Sequence, residues 1–273
     1  MSNSHAVLNI AIAGAGGRMG KMLIEGISKA SGMKLVGALE VGSSPVLGKD
    51  AGESLGLTTR VLCSSDKTHA LKDAHILIDF TRPQATLDHL EYCAGKGIKV
   101  VIGTTGFSDE QKAKISGYAQ QTAIVFAPNM SIGVNATFKL LEVAAKILNS
   151  GYDIEVIEAH HKLKVDAPSG TALKMGEVVA KALDQNLNDV GVFAREGITG
   201  ERKNGSIGFS TIRGGDMVGD HTVMFIGAGE RLEITHRSSS RVNYVAGSLR
   251  ACNYLADQKT GLFDMQDVLG LKI

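Results

Sequence analysis

Two adjacent histidines, His160 and His161, precede a lysine, Lys164, and a segment typical of a helix start. Histidine gains or loses a proton near neutral pH, whereas lysine is a fixed cation. The free N–H groups at the start of a helix attract anions. These residue types together suit a small anionic substrate that must be protonated.

The histidine pair has two other interpretations, an ordinary hydrogen-bonded pair or part of a metal site. Neighbouring residues of a strand point to opposite faces, so His160 and His161 could not easily bind one ion. No Cys or His follows them at ligand spacing. The continuation Pro168-Ser169-Gly170-Thr171 favours an anion-binding site over a metal site.

The residues around the pair predict a strand, a loop and a helix. Residues 153–159 alternate between polar and apolar side chains, which is the spacing of a β-strand. Residues 171–179 have the pattern of an amphipathic helix, and Ser169 or Thr171 is placed to cap it. The candidate chemistry is therefore crowded into one strand-loop-helix segment.

The composition of the 273-residue chain argues against several classes of protein. Its formal net charge of +1 gives no strong field for nucleic acid or a membrane surface. No apolar run is long enough to span a bilayer, and residues 1–5 lack a signal-peptide pattern. The 3 cysteines are far apart, which suits reduced thiols. We expect a cytoplasmic protein with a small-molecule partner and neither a nucleic-acid nor a membrane partner.

A glycine-rich turn follows the first apolar run. Residues 6–13 predict a buried parallel strand, and Gly14-Ala15-Gly16-Gly17-Arg18-Met19-Gly20 leads from it into a helix. Such glycines allow a tight turn and a close backbone approach to a pyrophosphate. The strict G-x-G-x-x-G pattern would require glycine where Met19 stands, and Gly20 comes one residue late. The context of strand, turn and helix still predicts a dinucleotide-binding site.

The second predicted strand, residues 33–40, ends in Glu40. A carboxylate at that strand end can accept hydrogen bonds from the adenosine ribose hydroxyls, although an acid that caps a loop is the alternative. Val41 follows and brings no cation to the 2′-phosphate of NADPH. Arg18 in the glycine turn could still reach such a phosphate.

Strands and helices alternate through residue 130, which predicts a parallel sheet with right-handed crossovers. Ligands of such sheets bind outside the carboxyl ends of the strands. Each small or polar strand end could be a plain turn, but together they favour a cofactor groove. They are Asp79–Arg82, Gly103–Thr105 and Ala127–Met130.

Beyond residue 130 the pattern changes to a central strand, a loop and a helix, and then to a run of strands separated by glycine turns. We expect an α/β protein with two domains. Residues 1–130 form a Rossmann-type dinucleotide-binding domain, to which 241–273 return. Residues 131–240 form an α+β domain for substrate binding and oligomerisation, with a mixed or largely antiparallel sheet.

Four motifs agree with one family. Residues 14–20, Asp79-Phe80-Thr81-Arg82-Pro83, Gly103-Thr104-Thr105-Gly106 and residues 158–172 resemble dihydrodipicolinate reductase of the bacterial lysine and diaminopimelate pathway. The resemblance runs through nearly the whole chain. It implies reduction of a cyclic dicarboxylate, formed from aspartate semialdehyde and pyruvate, to tetrahydrodipicolinate. The family uses NADH or NADPH, and its members are usually homotetramers joined through the sheet of the second domain.

The resemblance also implies roles for individual residues. His160 would be the acid/base and Lys164 the second proton donor, with no metal. The substrate would be bound by His161, Lys164, Ser169, Gly170 and Thr171. The cofactor would be bound by Gly14, Ala15, Gly16, Gly17, Arg18, Met19, Glu40, Arg82, Gly103, Thr104, Thr105, Ala127, Pro128, Asn129 and Met130. Many members carry an arginine where this chain has Val41, so we expect NADH to serve at least as well as NADPH.

Three other functions are less consistent with the sequence. A semialdehyde dehydrogenase would need a nucleophilic cysteine in a glycine-rich loop, and none is visible. A homoserine-type dehydrogenase would leave the His-His-Lys and Ser-Gly-Thr residues unexplained. A nicotinamide-sensing regulator would need a DNA-binding element or a basic face, and the net charge is near zero.

Overall fold

The computed structural model describes residues 7–272, which divide into two compact units. The first unit comprises the described residues up to Ile132 and those from Tyr244 onwards, and the second is Gly133–Asn243. Ala6, where the first strand was predicted to begin, and the five residues before it lie outside the described residues. No helix within residues 7–272 is long and apolar enough to cross a membrane.

Within the described part of the chain, the first unit contains a seven-stranded parallel sheet. Its strands, numbered along the whole chain, are β1 (Leu8–Ala13), β2 (Met33–Leu39), β3 (Cys63–Ser64), β4 (Ile76–Asp79), β5 (Lys99–Ile102), β6 (Ala123–Phe126) and β12 (Gly261–Phe263). Their order is β12-β6-β5-β4-β1-β2-β3. The strand order reverses at β1, as in doubly wound dinucleotide-binding folds, so the predicted Rossmann-type fold is confirmed.

Helices cover both faces of this sheet. They are α1 (Arg18–Lys29), α2 (Lys67–Leu71), α3 (Pro83–Lys96), α4 (Asp109–Tyr118), α8 (Val242–Ala256), which begins in the last residues of the second unit, and α9 (Met265–Leu269). Ile10 and Ile12 of β1 belong to a core cluster with residues of α1 and α8. Ala11 and Ala13 belong to a second cluster with residues of α3 and α4. Because both faces are buried, the strands are short continuous apolar runs.

The segment from Val41 to Lys72, in which the sequence predicted no element, contains a short 3-10 helix (Glu53–Leu55), β3 and α2. These elements are too short for a hydrophobic period to show. The loop is organised instead by Asp50, whose carboxylate accepts hydrogen bonds from Gly52 N at 2.8 Å and Thr59 Oγ1 at 2.7 Å. Burial raises the pKa of Asp50, but these hydrogen bonds bring it down to about 2.

The second unit contains, within the described residues, a five-stranded mixed sheet. Its strands are β7 (Asp153–His160), β8 (Gly191–Val192), β9 (Ile207–Arg213), β10 (Gly219–Ile226) and β11 (Arg231–Ser238), in the order β11-β10-β7-β9-β8. Its helices are α5 (Ile132–Ile147), which begins at the last residue of the first unit before the second, α6 (Gly170–Ala182) and α7 (Leu187–Val190). The predicted combination of a parallel sheet with a second, mixed sheet is confirmed.

The pairing in this sheet is less antiparallel than the sequence suggested. β10 is antiparallel to β7 and β11, whereas β9 is parallel to β7 and β8. The connection from β7 to β9 contains α6, and a crossover of that length brings the next strand back in parallel. The short turn from β9 to β10 does not allow such a crossover.

One face of β7 leads from the core to its carboxyl end. Ile154 and Val156 are buried in the apolar core with residues of α5 and α6. Since side chains alternate along a strand, Glu158 and His160 continue the same face. Both are buried, at 1% and 8% exposure. The buried face of β7 therefore carries apolar side chains first and then an acid and a histidine at its carboxyl end.

Candidate active site

The glycine turn lies at the carboxyl end of β1, in the first unit. Gly14 has a φ of +68°, a conformation that favours glycine. A Cβ on Gly20 would lie 2.1 Å from the carbonyl oxygen of Gly14, so Gly20 allows α1 to pack closely on the turn. In the sequence, Gly20 comes one residue later than the third glycine of the G-x-G-x-x-G pattern. The structure gives the packing role to Gly20.

The start of α1 carries no side-chain cap. Its N-cap residue is Gly17, and the first helical residues, Arg18 and Met19, follow directly. The first N–H groups of a helix have no partner within it, so this end is suited to an anion. Glu40 lies beside the turn, with its Oε1 accepting from Gly16 N at 2.6 Å. Val41 is 62% exposed, and Arg18 is also exposed.

We expect Gly20→Ala to weaken NADH binding and to lower the free energy of unfolding by about 1–3 kcal/mol. The added methyl group would collide with the Gly14 carbonyl and push α1 away from the turn. Fluorescence titration with NADH and denaturant unfolding measure the two effects. Gly117→Ala in α4 is the matched control, because a Cβ there meets no atom within 4 Å. Wild-type affinity and stability in Gly20→Ala would contradict this role.

A buried carboxylate, Asp79, joins the strand ends beyond the turn. Its Oδ1 accepts from Thr81 N at 2.8 Å and from Thr86 Oγ1 at 3.1 Å, and its Oδ2 lies 2.8 Å from His89 Nδ1. The Thr86 hydroxyl also lies 2.9 Å from Thr104 Oγ1, in the loop after β5. Burial raises the pKa of Asp79, but the contact with His89 and the other hydrogen bonds bring it below its usual value.

The remaining predicted cofactor residues differ in how exposed they are to solvent. Met130 is 1% exposed and packs in the core, and Ala127 is 2% exposed. Asn129 Oδ1 accepts from Ser131 N at 2.8 Å. A Cβ on Gly103 would lie 2.1 Å from the Phe80 ring, so there is no room for a side chain at this strand end. The predicted residues with exposed positions are Gly17, Arg18, Arg82, Thr105 and Pro128.

The second unit brings Glu158, His160 and Arg213 into direct contact. His160 Nδ1 lies 2.6 Å from Glu158 Oε2. Arg213 is opposite His160 in the parallel register of β9 and donates from Nη1 and Nη2 to the two carboxylate oxygens, each at 2.8 Å. Ser169 N donates to Glu158 Oε1 at 3.0 Å. A buried carboxylate thus joins the imidazole, the arginine and the start of α6.

These contacts shift the pKa values of both titratable partners. Burial raises the pKa of Glu158, but the hydrogen bonds from Arg213, His160 and Ser169 N more than offset it, so the pKa is lowered. Burial lowers the pKa of His160, and the hydrogen bond to Glu158 opposes that change. Glu158 is therefore ionised at neutral pH, and the lowered pKa of His160 means that its ring releases a proton more readily than an isolated imidazole.

His221 of β10 packs edge-on against His160, with ring centroids 5.1 Å apart and planes at 75°. Its Nε2 lies 3.0 Å from Ser169 Oγ. Burial lowers the pKa of His221 to about 4, so this ring is neutral at neutral pH. A Cβ on Gly219 would lie 2.9 Å from His160 Nε2, so glycine leaves room for the His160 ring.

The loop from His161 to Ser169 carries the other predicted substrate residues. Lys164 Nζ lies 2.8 Å from Asp166 Oδ1, and His161 N donates to Met217 O at 2.8 Å. Ser169 caps α6, its Oγ accepting from Ala172 N at 3.2 Å. Its side chain is 2% exposed, so the hydroxyl serves the helix cap and His221. Gly170 and Thr171 are the first two residues of α6.

Three residues of this cluster received no role from the sequence. Glu158 could have been found, because an acid two residues before a strand histidine shares its face. Arg213 and His221 could not, because their places depend on the pairing of β9 and β10 with β7. The sequence carries no local signal for that pairing.

The described residues give no arrangement for a metal. Within 7–272, no group of three or more His, Cys, Asp and Glu side chains is arranged to hold a metal ion. Cys63, Cys93 and Cys252 are buried and free. Burial raises the thiol pKa of each, in Cys93 to about 12, so these thiols are poor nucleophiles at neutral pH.

Comparison with known families gives matches over both units. The family model for the N-terminus of dihydrodipicolinate reductase matches residues 8–130, and the model for its C-terminus matches residues 133–269. The 4-hydroxy-tetrahydrodipicolinate reductase of Herminiimonas arsenicoxydans is 63% identical over 265 residues, covering 97% of this chain and 99% of the relative. That of Polynucleobacter necessarius subsp. necessarius (strain STIR1) is 64% identical, covering 97% and 100%.

A solved structure shares the fold. The dipicolinate-bound dihydrodipicolinate reductase from Paenisporosarcina sp. TG-14 superposes with a TM-score of 0.75 at 23% sequence identity. The match covers 96% of this chain and 98% of that one.

Proposed function

The chain belongs to the dihydrodipicolinate reductase family of oxidoreductases, and on that premise we propose that it reduces 4-hydroxy-tetrahydrodipicolinate to tetrahydrodipicolinate with NADH or NADPH. The observation that carries the proposal is the cluster at the carboxyl end of β7. There His160 is held by an ionised carboxylate, close in the chain to Lys164 and to the start of α6. The reaction belongs to lysine and diaminopimelate biosynthesis.

The substrate side of the proposal rests on charge. A ring diacid carries two carboxylates, and the loop after β7 offers Lys164 and His161 as donors. The N–H groups of Gly170 and Thr171, at the start of α6, supply anion-binding donors in addition. The relative from Paenisporosarcina sp. TG-14 was solved with dipicolinate bound, which supports a dicarboxylate ligand of this kind.

The residues of the first unit fit a dinucleotide. Gly17 leaves the first N–H groups of α1 without a side-chain cap, and Gly20 allows α1 to pack closely on the turn. A cavity of about 310 Å³ borders the turn at Ala15 and Gly16. We therefore assign Gly14–Met19 to the pyrophosphate, Glu40 to the ribose, and Arg82 with 103–105 and 127–130 to the remainder. When bound, the reduced nicotinamide supplies a hydride.

The chemistry of the chain's own residues follows from their charges. Loss of the 4-hydroxyl group as water gives a conjugated ring. Hydride addition to one carbon of that ring leaves negative charge on its neighbour. His160 in its protonated form donates a proton to that carbon and becomes neutral. Lys164 is a fixed cation next to the growing charge and lowers the barrier. Both residues act on the transition state, so their loss should reduce kcat.

We expect Lys164→Ala to lower kcat by about 10²–10³-fold and to raise the KM for the dicarboxylate, because a cation is removed from the developing charge. Steady-state kinetics with each substrate varied in turn measure both effects. Lys162→Ala is the control, since Lys162 is exposed and the same loop keeps its other cation. Equal kinetics in the two variants would remove Lys164 from the site.

The proposed activity has a direct assay. Freshly made condensation product of pyruvate and aspartate semialdehyde is added to the protein and NADH, and the loss of NADH absorbance is followed. We expect rapid loss that requires both precursors. No loss would refute the reductase assignment. Loss with aspartate semialdehyde alone would mean that the aldehyde is reduced to an alcohol, which would favour a homoserine-type dehydrogenase.

The cofactor preference and the cytoplasmic, tetrameric state are further predictions. Val41 is exposed beside Glu40 and offers no cation to a 2′-phosphate, so we expect NADH to bind at least as tightly as NADPH. Parallel titrations with the two cofactors measure this preference. The predicted cytoplasmic homotetramer is tested by the molar mass of the purified protein in solution.

A further inference from the structure

The buried Glu158 carboxylate accepts hydrogen bonds from Arg213, Ser169 and Thr211. Arg213 donates through both terminal nitrogens, Ser169 through its backbone N and Thr211 through Oγ1 at 3.3 Å. The remaining contact, at 2.6 Å, is to Nδ1 of His160. Because a carboxylate with four such donors is ionised and can only accept, the Nδ1 atom must bring the hydrogen.

We infer that Glu158 is a positioning residue for His160, which keeps a hydrogen on Nδ1 in both charge states of the ring and directs proton exchange through Nε2. This inference rests on the proposed function for its catalytic meaning. Its structural content, the position of the hydrogen, holds for the protein without any ligand.

The surroundings of Nε2 support the assignment. Gly219 directly precedes Asp220, which pairs with Ala159, the residue before His160, in the antiparallel pair of β10 and β7. A Cβ at that position would lie 2.9 Å from Nε2, so a side chain there would crowd the nitrogen. The glycine thus keeps the second nitrogen accessible while the first is fixed by the carboxylate.

The proton balance of the step is simple. Protonated His160 carries one hydrogen on each nitrogen. Transfer of the Nε2 hydrogen to the ring carbon forms a C–H bond and leaves a neutral ring with its hydrogen on Nδ1. The next proton comes from solvent to Nε2, and Glu158 stays ionised throughout. Without the carboxylate, the neutral ring would be free to carry its hydrogen on Nε2 instead.

Charged and titratable groups face His160 from several elements. They are Glu158 on its own strand, Arg213 on β9, His221 on β10, and Lys164 with its partner Asp166 in the loop. His221 is neutral, so it neither repels the charged ring strongly nor competes for its proton. Lys164 and Arg213 disfavour the charged form of His160, and the Glu158 carboxylate opposes them.

The kinetic test is Glu158→Gln, which keeps the shape of the side chain and removes its charge. Without the carboxylate charge, the pKa of His160 should fall. Activity requires the protonated ring, so as the pH is raised the variant should lose activity at a lower pH than the wild type does. The rate at alkaline pH falls about tenfold for each unit of pKa lost, with a smaller loss in acid. A uniform loss at every pH would mean a structural lesion and would overturn the inference.

Glu155→Gln is the matched control. Glu155 is on the same strand, on the opposite face, and accepts hydrogen bonds from Arg195 and Arg202, so the variant also removes a carboxylate from two arginines. We expect its pH profile to match that of the wild type. A shift as large as that of Glu158→Gln would show that the effect is not specific to His160.

The second readout does not use activity. In protein labelled with ¹⁵N-histidine, the signals of His160 are assigned by their loss in His160→Gln, and their shifts report which nitrogen carries hydrogen. We expect the neutral ring in the Nδ1–H form in the wild type and a mixture of the two forms in Glu158→Gln. The Nε2–H form in the wild type would overturn the inference even if the reductase assay succeeded. Failure of that assay with the Nδ1–H form present would refute only the proposed function.

Discussion

Replacement of His160 by glutamine is expected to lower kcat by about 10²–10⁴-fold, the usual cost of removing a general acid. Glutamine is of similar length and can still donate a hydrogen bond to Glu158, so the strand end should keep its shape. It has no proton to exchange near neutral pH. Steady-state turnover of the condensation product, with NADH loss as the readout, measures the effect.

The variant should bind NADH as the wild type does, because the residues assigned to the cofactor belong to the first unit and His160 to the second. A fluorescence titration separates that property from turnover. His69→Gln, an exposed histidine of α2, serves as the control and should keep full activity. Turnover near the wild-type level in His160→Gln would exclude residue 160 as the proton donor.

Replacement of Asp79 by alanine is expected to destabilise the protein by about 3–5 kcal/mol, because several buried hydrogen-bond donors would each lose their acceptor at a cost of about 1–3 kcal/mol. Asp79 is fully buried, and its loss would leave His89 and the hydroxyls of Thr81 and Thr86 without their acceptor. The loops that carry the predicted cofactor residues Arg82 and Thr104 would loosen with it. Denaturant unfolding at neutral pH and NADH titration measure the two consequences.

The stabilising effect of Asp79 should depend on pH. Its pKa in the folded protein is lowered, so its contribution is present above the ordinary aspartate pKa of about 3.9 and is lost as the pH falls through the folded value. The difference in unfolding free energy between wild type and Asp79→Ala should therefore shrink in strong acid. Asp88→Ala on the exposed side of α3 should change stability by no more than about 0.5 kcal/mol. A constant difference across pH would mean that the aspartate charge contributes nothing.

Much of the fold could be predicted because its elements are regular and apolar. Strands β2 and β7 begin where the sequence predicted and end within one residue of the predicted bounds, 33–40 and 153–159. The structure around Asp50 could not be predicted, because it is held by hydrogen bonds to one carboxylate and not by a periodic pattern of apolar residues. The packing role of Gly20 also depends on a contact with Gly14 that no spacing rule contains.

The candidate site was predicted in part for similar reasons. His160, Lys164 and the start of α6 follow one another in the chain, so local pattern places them together. Glu158 and His160 also lie near each other in sequence, but the role of the acid depends on Arg213, which comes from β9. Strand register decides that partner, and register is set by packing of the whole sheet.

The pairing of β12 with β6 has a consequence for how the protein is made. Phe263 lies beside Val125 at the sheet edge, and Ala251, Leu255 and Met265 help to fill the core that covers β1. Translation produces every residue of the second unit before any of these. The nascent first unit therefore emerges with an open sheet edge and a partly uncovered apolar face, which stay open until residues 251–265 have been made.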